Sequence, residues 1–213
     1  MLEALWSFVS KLVTSLVGRA IDWAIARFRR PSIELKRAPE NLFEHLAPGT
    51  SLARVREVLG TPQRVETEWH SFTFNDAFVQ VGSRDGQTVE WIGVVLPRIG
   101  RRARFPLGIL PLELGRSTLG DVLALSPDTE VEIKKDSSSK HWCFWTECYF
   151  GFPGLYRHYL FGVIEAPNVI PPKFDWDHAN DRLASEPKNV RLNWMAVSAS
   201  AGSAESFNFW AFV

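Results

Sequence analysis

Two carboxylates and an imidazole stand together at Asp175-Trp176-Asp177-His178, and a third carboxylate follows at Asp181. A loop that folds these oxygen and nitrogen ligands inward would hold a divalent ion, and the cluster Asp175, Asp177 and His178 would then serve a small metal-dependent hydrolase. The segment also follows Pro171-Pro172 and precedes the apolar Ala179 and Leu183, so the same acids suit the N-cap and first turn of a helix. Their spacing matches no specific metal site, and the hydrolase is the alternative reading of the chain. The other histidines (45, 70, 141, 158) are scattered. No phosphate-binding loop, dinucleotide fingerprint, zinc-protease helix, calcium loop or nucleophile elbow occurs. Gly82-Ser83-Arg84-Asp85-Gly86 joins two strand-like runs and reads as a hairpin turn, not a phosphate cradle. Cys143 and His141 share one strand face without a nucleophile signature. No cofactor and no resident metal is expected.

A second set of residues points to binding. In the run Lys140 to Phe150, Trp142, Phe144, Cys148 and Phe150 share one strand parity and read as core. His141, Cys143, Trp145, Glu147 and Tyr149 share the other, a mixture of charge with large rings that suits an interface anchor. The same alternation places Arg157 and Tyr159 beside them, and Trp69 and Phe78 are the counterparts earlier in the chain. The competing reading is that these rings are simply packed, beneath a C-terminal hairpin of Val190 to Ser198 with Ser206 to Phe212.

The elements that must position these residues begin with a helix from Leu2 to about Ala26. At 100° per residue Leu5, Trp6, Val9, Leu12, Val13 and Leu16 fill one face and Glu3, Ser7, Lys11, Ser15 and Asp22 the other. The helix ends in cations, Arg27, Arg29 and Arg30, and Pro31 stops it. Its uncharged stretches are far shorter than the roughly 20 residues a membrane span needs. It does not read as a signal peptide, because Glu3 stands where a basic run is expected and Lys11, Arg19 and Asp22 interrupt the apolar stretch. Its apolar face is expected to lie on an anionic membrane surface, on a protein partner or second copy, or on the chain's own body. Only Cys143 and Cys148 occur, too few for a disulfide framework, so the expected location is cytoplasmic, with a peripheral place at the inner face of the membrane.

After a connector (31–45), Thr50 or Ser51 caps a short helix that Gly60 and Pro62 end, and strands are expected at Glu68–Phe74, Ala77–Gly82 and Thr88–Val95. Beyond an Arg- and Pro-rich connector (98–111), Ser117-Thr118-Leu119 lines up with Thr50-Ser51-Leu52. Strands follow at Glu130–Lys134, Lys140–Phe150 and Leu155–Ile164, with Lys135–Ser139 as a hairpin loop. The expected fold is therefore α+β: an N-terminal amphipathic helix, then two tandem helix-helix/antiparallel-meander units, 46–97 and 112–213, forming an extended sheet.

Composition agrees with a globular body: 213 residues, 46% apolar, 23% charged and 13% aromatic. Lys plus Arg equals Asp plus Glu at 24 each, so nothing in the net charge points to nucleic acid. The balance hides an asymmetry, with cations gathered at Arg27 to Arg37 and again at Arg98, Arg101, Arg102 and Arg104.

Gly49-Thr50-Ser51, Val55 and Leu59-Gly60-Thr61-Pro62, followed by a meander, resemble the SmpA/OmlA (BamE) family. Its helix-helix-three-strand unit is stacked in tandem in β-lactamase inhibitor proteins. The resemblance covers 46–97 and, more loosely, 112–164. It implies that fold and a non-enzymatic, protein-binding habit. The lipid-modified cysteine of the lipoprotein members has no counterpart near this N-terminus. The leading expectation is a protein-interaction module with an unidentified protein partner, docked through Trp145, Tyr149, Tyr159, Arg157, Trp69 and Phe78. The N-terminal helix would tether it to a membrane surface or assembly, or join copies of the chain.

Overall fold

Side-chain oxygens start the helices where the sequence places caps. In the computed structural model, which describes residues 36–100, 103–108, 110–125, 132–138, 141–151, 153, 155–202 and 207, three α-helices and one 3-10 turn (Pro187–Asn189) occur among these residues. The α-helices are α1 (Leu42–His45), α2 (Leu52–Leu59) and α3 (Leu119–Leu123). Ser51 Oγ accepts the Arg54 backbone N–H at 3.2 Å, and Gly60, at φ 87°, ends α2. Thr118 and Asp121 cap α3 reciprocally, each side chain accepting the other's backbone N–H at 3.2 and 2.7 Å. The N-terminal helix, its residues Leu5, Trp6, Val9, Leu12, Val13, Leu16, Arg27, Arg29 and Arg30, and most of the 206–212 strand lie outside the described residues. The described body belongs to one compact unit.

The strands are β1 (Arg64–Val65), β2 (Trp69–Thr73), β3 (Phe78–Gly82), β4 (Trp91–Val95), β5 (Phe105–Pro106), β6 (Glu113–Leu114), β7 (Ile133–Ser137), β8 (Trp142–Phe150), β9 (Arg157–Glu165), β10 (Trp176–Asp177), β11 (Arg182–Leu183) and β12 (Trp194–Ser198). Eight of them make one antiparallel sheet in the order β1-β2-β3-β4-β12-β9-β8-β7, while β5–β6 and β10–β11 are separate ribbons. The class is α+β, mostly antiparallel sheet with few helices. The region expected as the hairpin loop Lys135–Ser139 is largely strand, because β7 pairs with β8 as far as Ser137 opposite Trp142.

β12 does not extend the second meander at an outer edge. It lies between β4 and β9, antiparallel to both, and its pairing reveals the internal repeat. Leu52 N donates to Gln87 O, Val89 N to Thr50 O and Gly49 N to Val89 O, tying the start of α2 to the lead-in of β4. Leu119 N donates to Val190 O, Leu192 N to Ser117 O and Gly115 N to Leu192 O, tying the start of α3 to the lead-in of β12 in the same pattern. So β12 is the counterpart of β4, and Val89-Glu90-Trp91-Ile92-Gly93-Val94 matches Leu192-Asn193-Trp194-Met195-Ala196-Val197. Following the pairing outward, β9 matches β3, β8 matches β2 and β7 matches β1. Gly93 pairs with its own counterpart Ala196, so a local two-fold axis passes through that pair, perpendicular to the sheet. The two halves thereby place α2 and α3 on the same face, and apolar side chains of both helices join one core with Phe72, Ile92, Phe144, Phe161 and Met195.

Candidate functional site

The sheet face away from the helices carries the aromatic residues that the sequence nominates for docking. Trp69, Gly82 and Trp91 lie side by side across β2, β3 and β4, and Trp145, Gly162 and Trp194 repeat that row across β8, β9 and β12. Gly82 leaves room for the Trp91 ring to lie across it, and Gly162 lets the neighbouring backbone approach closely. A Cβ at Gly82 would collide with the Trp91 indole, and one at Gly162 with the backbone of Phe144 and Trp145. At the two-fold axis the Phe207 ring sits over Gly93, 5.3 Å from the Trp91 ring and 5.2 Å from that of Trp194. Trp69 and Trp145 are each only 7% exposed, and they share a second hydrophobic cluster with Leu160, Ile164, Trp194 and Phe207. The two tryptophans are therefore packed, and the chain's own Phe207 occupies the middle of the row. Phe78 is half-buried against the same cluster.

Arg157 and Tyr159 fall on the opposite face. They pair with Phe150 and Cys148, which have the core parity of β8, so alternation carried across the loop assigned them to the wrong side. Tyr159 is buried and stacked on Phe150, ring centroids 4.5 Å apart. Burial raises its phenol above the ordinary range, with the nearby Arg157 guanidinium opposing the shift. Tyr149 alone of the nominated residues is well exposed, at 61%. Its ring stacks on His158 at 4.6 Å and lies 5.4 Å from that of Tyr156, itself 43% exposed. Beneath them His158 Nδ1 and Glu147 Oε1 are 2.9 Å apart, and Lys134 Nζ approaches Glu147 Oε2 at 3.6 Å.

The acidic cluster is spent on structure. Asp177 Oδ1 accepts the backbone N–H of Ala179 and Asn180, and Oδ2 accepts Asn180 Nδ2 at 2.7 Å, so the segment turns back as the β10–β11 ribbon and not as a helix. The Asn180 side chain, and then its backbone N–H, hold the Asp177 carboxyl below the usual range. Asp181 pairs with Lys135 and accepts Trp176 Nε1 at 3.2 Å, and the Lys135 hydrogen bond is the main cause that holds the Asp181 carboxyl below the usual range. Asp175 instead contributes its backbone, whose carbonyl accepts from Ala184 N. His178 is exposed. Among the described residues no group of three or more His, Cys, Asp or Glu converges as a metal site.

One constellation is invisible in the sequence. Ser138 Oγ lies 2.8 Å from His141 Nδ1, and His141 Nε2 lies 3.0 Å from Asp136 Oδ2. The same hydroxyl accepts the His141 backbone N–H at 3.3 Å, and Ser138 N donates to His141 O, so the three residues fasten the β7–β8 turn. Asp85 does likewise between β3 and β4: Thr88, through its hydroxyl and its N–H, and Gln87 and Ser83 hold its carboxyl far below the usual range. That loop is a turn. Cys143 and Cys148 are free, buried and on opposite faces, and burial pushes both thiols up, away from the nucleophilic thiolate.

Among the described residues, two cavities are notable. One of about 700 Å³ lies beside the β2–β3 turn, where Arg37, Arg98 and Arg104 share the lining with Glu40 and Asp76. The other, of about 530 Å³, lies between α1 and the helix-side face of the sheet, with largely apolar walls and, among the described residues, one charged side chain, Arg157. A two-fold-repeated antiparallel α+β protein, with Asp85, Asp177 and Asp181 engaged in turns or pairs, both thiols buried and its exposed rings at one sheet end, is the class these features define. Comparison of the chain with protein-family models, with curated proteins and with solved structures finds no match. No helix among the described residues is long and apolar enough to cross a membrane.

Proposed function

We propose that the chain is a non-catalytic protein-interaction module whose partner docks on the ring cluster at the β8–β9 end, with the N-terminal amphipathic helix tethering it to a membrane surface or larger assembly. The observation that carries this reading is the exposed stack of Tyr149 and Tyr156 over His158, held on the sheet by the Glu147 pairing. Exposed aromatic rings on a rigid element are the groups that concentrate binding energy at protein interfaces. The tandem halves also fit the resemblance to the SmpA/OmlA and β-lactamase-inhibitor-type proteins, whose members bind proteins. The docking site on this reading is Tyr149 with Tyr156, while Trp145 and Trp69 support the sheet from within.

Capture of partners by the tagged full chain tests it. Partners lost with Tyr149→Ala/Tyr156→Ala at an unchanged melting temperature support the site; retention of every partner by that variant overturns it. For the tether, sedimentation with anionic vesicles is expected for the full chain and not for Leu12→Glu/Leu16→Glu. Equal sedimentation of the two removes lipid from the reading.

A further inference from the structure

We infer that the cavity between α1 and the sheet is a binding site for a single-chain amphiphile bearing a carboxylate, its tail inside and its head on Arg157. The cavity holds about 530 Å³, within the roughly 300–1,000 Å³ usual for small-molecule sites. Phe43 of α1 and Leu46 just after it form one wall, and Phe150, Tyr159 and Val197 from three adjacent strands form the other. The walls therefore offer an extended apolar chain a place out of water and offer a polar ligand almost nothing. Two leucines at the same cavity, Leu125 and Leu155, are 37% and 61% exposed. Leaving two such side chains in water costs apolar burial that a bound tail would recover.

Charge decides what the head must be. Among the described residues Arg157 is the only charged one of the lining, and it pairs with no carboxylate there. Its Nη1 donates to the Tyr156 carbonyl at 2.9 Å, which fixes one arm of the guanidinium and leaves the other N–H groups for a ligand. A guanidinium fork in fixed position matches a carboxylate by two parallel hydrogen bonds, and it cannot lose its own proton. Tyr159, two residues along the same strand face, belongs to the same lining, and burial keeps its phenol protonated above the ordinary range. The site is on the opposite face of the β8–β9 hairpin from Tyr149, so this inference is independent of the docking proposal.

A dansyl-labelled long-chain carboxylate, titrated into the full chain below its micelle concentration, tests the site, with the corresponding alcohol as control. The expected result is saturable one-to-one binding of the carboxylate, weaker binding of the alcohol, and competition by unlabelled palmitate. Arg157→Gln is expected to weaken the carboxylate by about tenfold and leave the alcohol unchanged. Ala47→Trp, at an exposed position of the lining, is expected to remove both without lowering the melting temperature. Absence of saturable binding, binding indifferent to both substitutions, or equal affinity for acid and alcohol would each overturn the inference. Binding indifferent to Ala47→Trp but lost with Leu12→Glu/Leu16→Glu would assign the probe to the N-terminal segment and overturn it as well.

Discussion

The two halves of the sheet share a plan, and the second half departs from it at both ends. In the first, Asn75-Asp76 suffice to turn β2 into β3; in the second, residues 151–156 span the matching turn and carry Leu155 and Tyr156 into solvent. At the opposite end β8 and β9 run on to Trp142 and Glu165, beyond anything in β2 and β3. That extension exposes Trp142 and Phe144 on the helix side, and residues 166–193 return to cover them: Phe174 stacks on Trp142 at 4.9 Å and Trp176 meets it edge-on at 5.1 Å. The acidic cluster belongs to this cover. The regular half is scaffold, and the additions to the second half supply both the exposed rings and the cavity with Arg157.

If the halves are truly equivalent but unequally constrained, the glycines of the two tryptophan rows should show it first. Gly162→Ala forces a Cβ into backbone and is expected to cost about 4 kcal/mol, whereas Gly82→Ala meets only the Trp91 indole and should cost about 1–2 kcal/mol. Urea unfolding of both variants gives the order, and equal costs would break the comparison. Next in size is the ring on the two-fold axis. Phe207→Ala is expected to cost about 3 kcal/mol. Gly93→Ala should be destabilising in the parent and nearly harmless in the Phe207→Ala background, a coupling that a double-mutant cycle measures. An additive cycle would mean that Phe207 does not rest on Gly93.

The smallest effect compares His70 of β2 with its counterpart Thr146 of β8, both buried on the helix side, each with a side-chain atom that has no hydrogen-bond partner. Thr146→Val should be neutral or stabilising by up to about 1 kcal/mol. His70 is held below its ordinary imidazole range by burial first and by Arg56 second. The unfolded chain therefore takes up this proton before the folded one, and stability is lost as pH falls through about 6.5. Melting temperatures at pH 7 and pH 5 should diverge more for the parent than for His70→Leu. The same divergence in both would remove His70 as the cause.

Local signals carried much of this fold. Strand parity within β8 held without a bulge, and the caps at Ser51 and Thr118 start helices as expected. What failed was whatever needed a register across a loop. Arg157 and Tyr159 changed face because alternation says nothing about how many residues a turn consumes. The place of β12 stayed hidden because 166–193 separate it from β9, and hydrophobic periodicity does not report sheet order. One signal was present and overlooked: Glu90-Trp91-Ile92-Gly93-Val94 against Asn193-Trp194-Met195-Ala196-Val197, the strand pair at the axis. Of the nominated docking residues Tyr149 is exposed, while Trp69 and Trp145 are buried in a cluster drawn from several strands, which no single strand reveals.

The pairing of Gly93 with Ala196 has a consequence for how such a chain could arise. Half of this molecule, one helix-capped meander alone, would leave β4 as an open edge with a row of unsatisfied N–H and C=O groups. Two copies of that half would close the edge by pairing it with itself about a true dyad, residue 93 against residue 93, which is the isologous contact of a homodimer. The described sheet is that contact made within one chain. Halves joined in one chain need not stay identical, and one of them is free to lengthen.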